Sequence, residues 1–297
     1  MMSKKIAIQG YRGSFHELAA NKLFGKRPKE LVYCKTSIDV FEALDSGIVD
    51  YALMAIGNNR YGDINHVYDV LVNNRINNDE DKYWICAEVY INIRHCLLAV
   101  EGVEVNDVHT VYSQAPAIVQ CFGYLHKRLR QAIAVQQDDT ALSAQLVKEL
   151  NSDKAAAIAS KEAGKIFGLE VIAEDIQDDV NNLGRFVLIQ LGSVAVPKDG
   201  SKTSFLLNTK HRIGDLVKGL KLFADEGINI SYLQSIPIPN RPFEYRFYID
   251  IDAGAQESAV KKAIAGLNKL DYQYDIIGSY KRAELPKLRD NPLNDWR

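Results

Sequence analysis

Residues 6–20 read Ile6-Ala7-Ile8-Gln9-Gly10-Tyr11-Arg12-Gly13-Ser14-Phe15-His16-Glu17-Leu18-Ala19-Ala20. The apolar run Ile6–Ile8 predicts a buried strand that ends at Gly10. Ser14 followed three residues later by Glu17 predicts a capped helix start. Strand, glycine loop and helix then recur along the chain. Leu31–Tyr33 reads as a strand and Ser37–Ser46 as a helix capped by Ser37. Tyr51–Ile56 is a strand running into Gly57. The Asn-rich stretch from Val70 to Lys82 reads as a helix end followed by a loop. A strand pair is expected near Ala87–Ile93 and His95–Ala99. Beyond it come a strand at Thr110–Tyr112, a helix at Ala117–Leu129, a strand at Ile133–Val135 and a helix from Thr140. Ala155–Ala159, a helix through Phe167, Val171–Ala173 and Phe186–Ile189 complete an α/β pattern.

Residues 192–202 (GSVAVPKDGSK) hold two Gly, one Pro and an Asp-Gly step, and predict a linker. Behind it lie a strand at Thr203–Leu207, a helix at Ile213–Glu226 and strands at Ile228–Leu233 and Phe243–Ile251. A helix at Ser258–Leu270 and a strand at Tyr272–Ser279 follow. That order is βαββαβ, a ferredoxin-like arrangement. The domains expected are 1–191, 202–283 and an irregular tail at 284–297.

The chain has 297 residues, 47% hydrophobic and 25% charged, with a formal net charge of −2. The balance is that of a globular protein and offers no basic surplus for nucleic acid. No apolar run approaches 18 residues, so no membrane span is expected. The N-terminal apolar run is too short for a signal peptide, and the expected location is cytoplasmic. Cys34, Cys86, Cys96 and Cys121 form no Cys-x-x-Cys pair and no zinc spacing, and read as reduced, mostly buried thiols.

Five segments in order resemble the prephenate dehydratase family. They are Gly10–Glu17, Ala55–Gly62 (AIGNNRYG), Tyr112–Ala117 (YSQAPA), Asp139–Ala144 (DTALSA), and Ile176–Asp178 with Asn182–Phe186 (NLGRF). The rear module is similar to the family's ACT domain, with Gly214-Asp215-Leu216 where the family has Gly-Ala-Leu. Gln234-Ser235-Ile236-Pro237 stands where it has Glu-Ser-Arg-Pro. The resemblance implies a two-lobed, periplasmic-binding-protein-like catalytic domain followed by a βαββαβ ACT regulatory domain. It implies decarboxylating dehydration of prephenate to phenylpyruvate in L-phenylalanine biosynthesis, without metal or organic cofactor. It also implies L-phenylalanine as an effector, in a homodimer or homotetramer.

Prephenate is a dianion with a ring hydroxyl, so its site calls for cations and preorganised donors. The match carries Asn58 and Arg185 to catalytic positions, and Ser14, Thr140, Ser160, Arg185 and Phe186 to substrate-binding ones. Arg185 has the planar fork that suits a carboxylate. Gly214, Leu216, Asn229, Gln234 and Ser235 fall at effector positions. The threonine that the family uses as donor to the leaving hydroxyl is here Gly184. Gly57, Asn59 and Gln114 also replace the family's glutamate, Ser/Thr and histidine. Ser14 and Thr140 read equally as helix caps, Asn58 and Asn59 as turn residues, and His16 as a packing or solvated residue. Gly10-x-x-Gly13 lacks the full dinucleotide-loop motif. Two other readings follow from the missing threonine: a non-aromatising prephenate decarboxylase, or a non-catalytic ligand-binding regulatory protein.

Overall fold

The computed structural model describes residues 3–63, 65–73, 83–192 and 195–289. The chain begins with β1 (Lys4–Gln9), α1 (Phe15–Phe24), β2 (Lys29–Cys34), α2 (Ser37–Asp45), β3 (Tyr51–Asn58) and the short β4 (Gly62–Asp63). Next come α3 (Asn65–Asn73), β5 (Tyr83–Asn92), β6 (Cys96–Ala99) and β7 (Thr110–Ser113). They are followed by α4 (Ala115–Gln120), α5 (Phe122–Arg128), β8 (Ile133–Gln136), α6 (Thr140–Leu150), β9 (Ala155–Ala159), α7 (Lys161–Phe167) and β10 (Glu170–Ala173). The remainder is β11 (Leu183–Leu191), β12 (Lys202–Asn208), α8 (Asp215–Asp225), β13 (Ile230–Pro237), β14 (Tyr245–Ile251), α9 (Ser258–Lys269) and β15 (Gln273–Tyr280). Among the described residues no helix is long and apolar enough to cross a membrane.

Two compact units are present. One holds Met1–Ile64, Val89–Phe186 and Leu285–Arg297; the other holds Asn65–Glu88 and Val187–Glu284. The chain passes between them within β5 and β11.

The first unit is two-lobed. In its first lobe β1 lies between β2 and β3, parallel to both, with Ile6 opposite Leu31 and Tyr51. Ile6, Ala7 and Ile8 are fully buried there, as are Ala52 and Leu53. This is the buried parallel sheet that short apolar runs encode. The second lobe is a five-stranded sheet of order β10-β6-β9-β7-β8. Its strand β9 is five buried residues, four of them Ala, which lets helices close tightly on the sheet. Leu97, Val111, Ile158 and Ile176 form part of one core, and Leu98, Ala141, Ala157 and Ala163 part of another.

Several local expectations shift. The α2 helix is capped by Thr36, not Ser37, because Thr36 and Asp39 make the reciprocal capping box. Asp139, not Thr140, caps α6. The helix expected over Ala117–Leu129 breaks at Cys121, whose φ of −110° and ψ of 14° leave the helical region. The strands near residues 87–93 and 95–99 lie in different sheets rather than pairing together. Of the Asn-rich stretch, Val70–Asn73 is the end of α3, and 74–82 lies outside the described residues.

In the second unit β12, α8, β13, β14, α9 and β15 make the βαββαβ order, with antiparallel strands arranged β13-β14-β12-β15. One sheet face packs Phe205, Leu207, Ile249 and Ile251 against Phe223, Val260 and Leu267 of the two helices. The other face carries Ser204, Tyr248, Asp250 and Tyr280, all nearly inaccessible. Ser204 Oγ donates to Asp250 Oδ1 and accepts from Tyr248 Oη at 3.1 Å, so these hydroxyls satisfy one another. Tyr68 of α3 meets Tyr248 edge-on at 4.9 Å and stacks with Tyr232 at 6.0 Å. Such pairs add about 0.5–1.5 kcal/mol beyond area burial. Helix α3 therefore covers a sheet to which it is remote in sequence. Lys202 and Glu88, both buried, pair at 3.0 Å beside it.

Candidate active site

The chain crosses twice between the lobes of the first unit, at residues 92–96 and 173–183. Ile93 N–H donates to Asn182 O at 2.8 Å, and Ile176 N–H to His95 O at 3.0 Å, which ties the crossings together. Four side chains converge on them. Asn58, at the end of β3, donates from Nδ2 to Asn182 Oδ1 at 2.6 Å. Asn182 Nδ2 donates to Gln120 Oε1 at 2.9 Å, and Gln120, at the end of α4, also contacts His95 Nε2 at 2.8 Å. The Gln120 oxygen can only accept, so His95 carries its proton on Nε2. Among the described residues His95 Nδ1 is left buried without a partner.

This cluster gives Asn58 a structural task. Its Oδ1 accepts from the Arg60 and Tyr61 amides at 2.9 and 2.8 Å, an Asx-type turn. Asn59 is equally committed: its Nδ2 donates to Asn181 O and its Oδ1 accepts from Leu183 N–H at 2.7 Å. The long amide thus stitches the β3 loop to the start of β11, which a Ser or Thr could not span. Asn181 is clasped in turn by Arg289, whose N–H donates to Asn181 Oδ1 at 2.8 Å.

At Gly184 there is little free space. A Cβ there would sit 3.0 Å from Phe186 Cε2 and 3.1 Å from Ile93 Cδ1. Phe186 meets His16 edge-on at 5.0 Å, and His16 Nε2 accepts from Ala55 N–H at 3.3 Å. Position 184 is therefore packed, not a vacated pocket. Arg185, next along β11, is 9% exposed.

The lobes meet through their loops. The carboxyl ends of parallel strands are where open α/β sheets bind ligands, and here the ends of β1, β7, β8 and β9 approach one another. Gly13 (φ +86°) lies so near α7 that a Cβ would come 2.8 Å from Ala163 Cα. Ser160 Oγ donates to Gly13 O at 2.7 Å and accepts from Ala163 N–H at 3.0 Å, so its hydroxyl is spent on holding that contact. Ser14 Oγ accepts from Glu17 N–H at 3.3 Å and, among the described residues, gives its own proton to none. Glu17 reaches back to the Gly13 N–H at 2.6 Å, one residue beyond an ordinary capping box. Thr140, on the first turn of α6, is buried to 5% exposure. Gln114, at the N-terminus of α4, uses no side-chain hydrogen bond to cap it. The N-terminal amides of α1 and α6 add partial positive charge on this side. Phe15 meets His95 edge-on at 5.3 Å and closes the floor.

Asp139, His95, Gln120 and Asn182 were not candidates from sequence. Asp139 and Asn182 lie inside matched segments, and Asp directly before an apolar helix is a cap signal. Nothing local marks His95 or Gln120, whose roles arise from partners 25–82 positions away.

The predicted effector residues are in the second unit. Gly214 (φ +79°) caps α8, Gln234 and Ser235 lie on β13, and Asn229 Nδ2 donates to Asp252 Oδ2 at 2.7 Å. A cavity of about 1010 Å³ in this unit is lined by Leu216, Arg212, Arg246, Asn208 and Phe247 among others. Of the five predicted residues, only Leu216 reaches it. Among the described residues no three His, Cys, Asp or Glu side chains are grouped to hold a metal. Burial pushes the Cys86 thiol up to about 12 and Cys96 to about 11, as fits unreactive free cysteines.

Burial lowers both His16 and His95 to about 4, the latter despite its bond to Gln120. Both rings are therefore neutral when folded, whereas the unfolded chain protonates near 6.5. The unfolded state binds more protons between these values, so this stability is present above about pH 6.5 and is lost as pH falls toward 4. The slope is about 1.4 kcal/mol per ring per pH unit. Urea unfolding across that range is expected to show the decline, and His16→Gln to reduce its slope; a flat profile contradicts it. Gly184→Thr is expected to cost about 1–3 kcal/mol by overpacking. Adding Ile93→Val should recover part of that loss. A single variant as stable as the parent would show the site to be roomier than described.

The comparisons with known proteins agree with this architecture. The family model for prephenate dehydratase matches residues 6–193. The chain is 34% identical over 289 residues to the arogenate dehydratase/prephenate dehydratase 2 of Arabidopsis thaliana, covering 93% of this chain and 72% of that one. It is 30% identical to the bifunctional chorismate mutase/prephenate dehydratase of Aquifex aeolicus, covering 95% and 74% respectively. A crystal structure of prephenate dehydratase from Arthrobacter aurescens in complex with L-Phe superposes with a TM-score of 0.82 at 27% identity, covering 97% of this chain and 93% of that one. By sequence over most of its length and by fold, this chain belongs to the prephenate dehydratase family.

Proposed function

We infer that the protein is a prephenate dehydratase, converting prephenate to phenylpyruvate, carbon dioxide and water in aromatic amino acid biosynthesis. The observation that carries this is the match to dehydratases across 93% of the chain, at 34% identity. The cleft chemistry supports it. A dianion is favoured by the Arg185 guanidinium, the Ser14 and Thr140 hydroxyls and the amides at the starts of α1 and α6. Orientation is the main task, because loss of carboxylate and hydroxyl together restores an aromatic ring. Asn58 and Ser160 contribute by fixing the loops, and Phe186 by packing the wall.

The second unit reads as the family's ACT regulatory domain, 202–283, with L-phenylalanine as its effector. The L-Phe complex of the Arthrobacter relative supports that reading. Assembly as a homodimer or homotetramer and a cytoplasmic setting complete the proposal. One observation favours a second reading. With no hydroxyl at 184 and its space filled by Ile93 and Phe186, loss of carbon dioxide without loss of hydroxide would make a non-aromatising decarboxylase.

Incubation of prephenate with purified protein at neutral pH, followed by NMR against a protein-free control, separates these. Phenylpyruvate is expected well above the spontaneous rate. A non-aromatic decarboxylated product would establish the second reading, and prephenate decaying at the control rate would overturn both.

A further inference from the structure

A dehydratase must protonate the departing hydroxide, and position 184 offers no group to do so. Where the loops of the two lobes meet stands a carboxyl, that of Asp139, with one oxygen that no hydrogen bond among the described residues consumes. Asp139 stands at the end of the loop after β8. Its Oδ1 accepts from the Ala141 and Leu142 amides at 2.7 and 3.0 Å, which fixes the side chain at the N-terminus of α6. Among the described residues its Oδ2 has no protein partner, and it is not sealed from solvent. That oxygen faces the β1 loop of the other lobe. A Cβ on Gly10 (φ +99°) would come within 2.7 Å of Asp139 Oδ2 and 3.3 Å of Ser14 Oγ. The free oxygen and the Ser14 hydroxyl therefore both border the space over Gly10, where the loops of the two lobes meet.

We propose that the Asp139 carboxyl is the proton donor to the leaving hydroxide, in place of a side chain at position 184. The proposal rests on the dehydratase reading above. In the step, the bond from the ring to its carboxylate breaks and carbon dioxide leaves, its electron pair entering the ring. The ring C–O bond breaks with its pair on oxygen, and that oxygen takes the proton from Asp139 Oδ2. The products are phenylpyruvate, carbon dioxide, water and the Asp139 carboxylate, which regains a proton from solvent. Nothing is oxidised or reduced.

Three features suit Asp139 to this task. The two amides on Oδ1 hold the carboxyl in one orientation, so Oδ2 is aimed without further ordering. The elements against it, the β1–α1 loop and α6, present Gly10, Ser14 and backbone amides there. Burial raises its pKa above the ordinary carboxylate value, and only the two capping amides oppose the shift. A bound dianion raises it further, since like charge disfavours ionisation.

The test compares the parent with Asp139→Asn and Asp139→Ser, both of which can still cap α6. Phenylpyruvate formation is followed from about pH 5 to 9, with thermal unfolding as a check on folding. The parent's kcat is expected to fall about tenfold per pH unit on one alkaline limb. The variants should keep KM within a few-fold, lose about 10²–10⁴ in kcat, and lose that limb. A folded variant that keeps the parent's kcat and its alkaline limb would reduce Asp139 to a helix cap and overturn the proposal alone. A parent that forms no phenylpyruvate at any pH would overturn both the proposal and the dehydratase reading.

Discussion

Everything in the first unit depends on the cluster of side-chain amides where the chain crosses between lobes. Asn58 comes from the first lobe, Gln120 from the second and Asn182 from the crossing itself. Each is a neutral group with both donors and acceptors, so a partly buried chain of them can satisfy itself without carrying charge. A partly satisfied cluster would be costly, because a buried polar atom without a partner loses its hydration and gains nothing. Among the described residues His95 Nδ1 is the one atom of this arrangement buried without a partner, a bare acceptor on a ring that Phe15 meets edge-on.

That cluster sets how the loops of the lobes meet above it. Gly13 rests on α7, with Ser160 bracketing both sides. Gly10 rests against Asp139. Helix starts and strand ends are brought to one cleft, which suits an anionic substrate before any single residue is considered. Position 184 is different in kind. A Cβ on Gly184 would meet Ile93 and Phe186, so apolar packing surrounds it. Asn59 is likewise committed to architecture, holding Asn181 and Leu183 from the β3 loop.

Much of this was legible in the chain. The Ile6–Ala20 stretch predicts strand, glycine loop and capped helix, and the structure has β1, Gly10 and the Ser14 cap in those places. The βαββαβ order of the rear was equally plain, because its strands alternate and its helices are amphipathic over two or three turns. What escaped was tertiary. Thr36 outcompetes Ser37 as a cap only because Asp39 can return the bond. Helix α3 belongs with the rear sheet through Tyr68, a contact that no local pattern announces. Ser14, Thr140 and Ser160 looked alike as polar substrate-binding positions, yet only geometry shows that the Ser160 hydroxyl proton is already given to Gly13 O.

The most direct test of this account is a double-mutant cycle on Asn58→Ala and Asn182→Ala, read by urea unfolding. If the amide cluster is one cooperative unit, the two losses are non-additive by about 0.5–3 kcal/mol, as expected for groups sharing a network. Losses that simply add, to within about 0.3–0.5 kcal/mol, would mean that the lobes are held by their packing and not by the crossing amides.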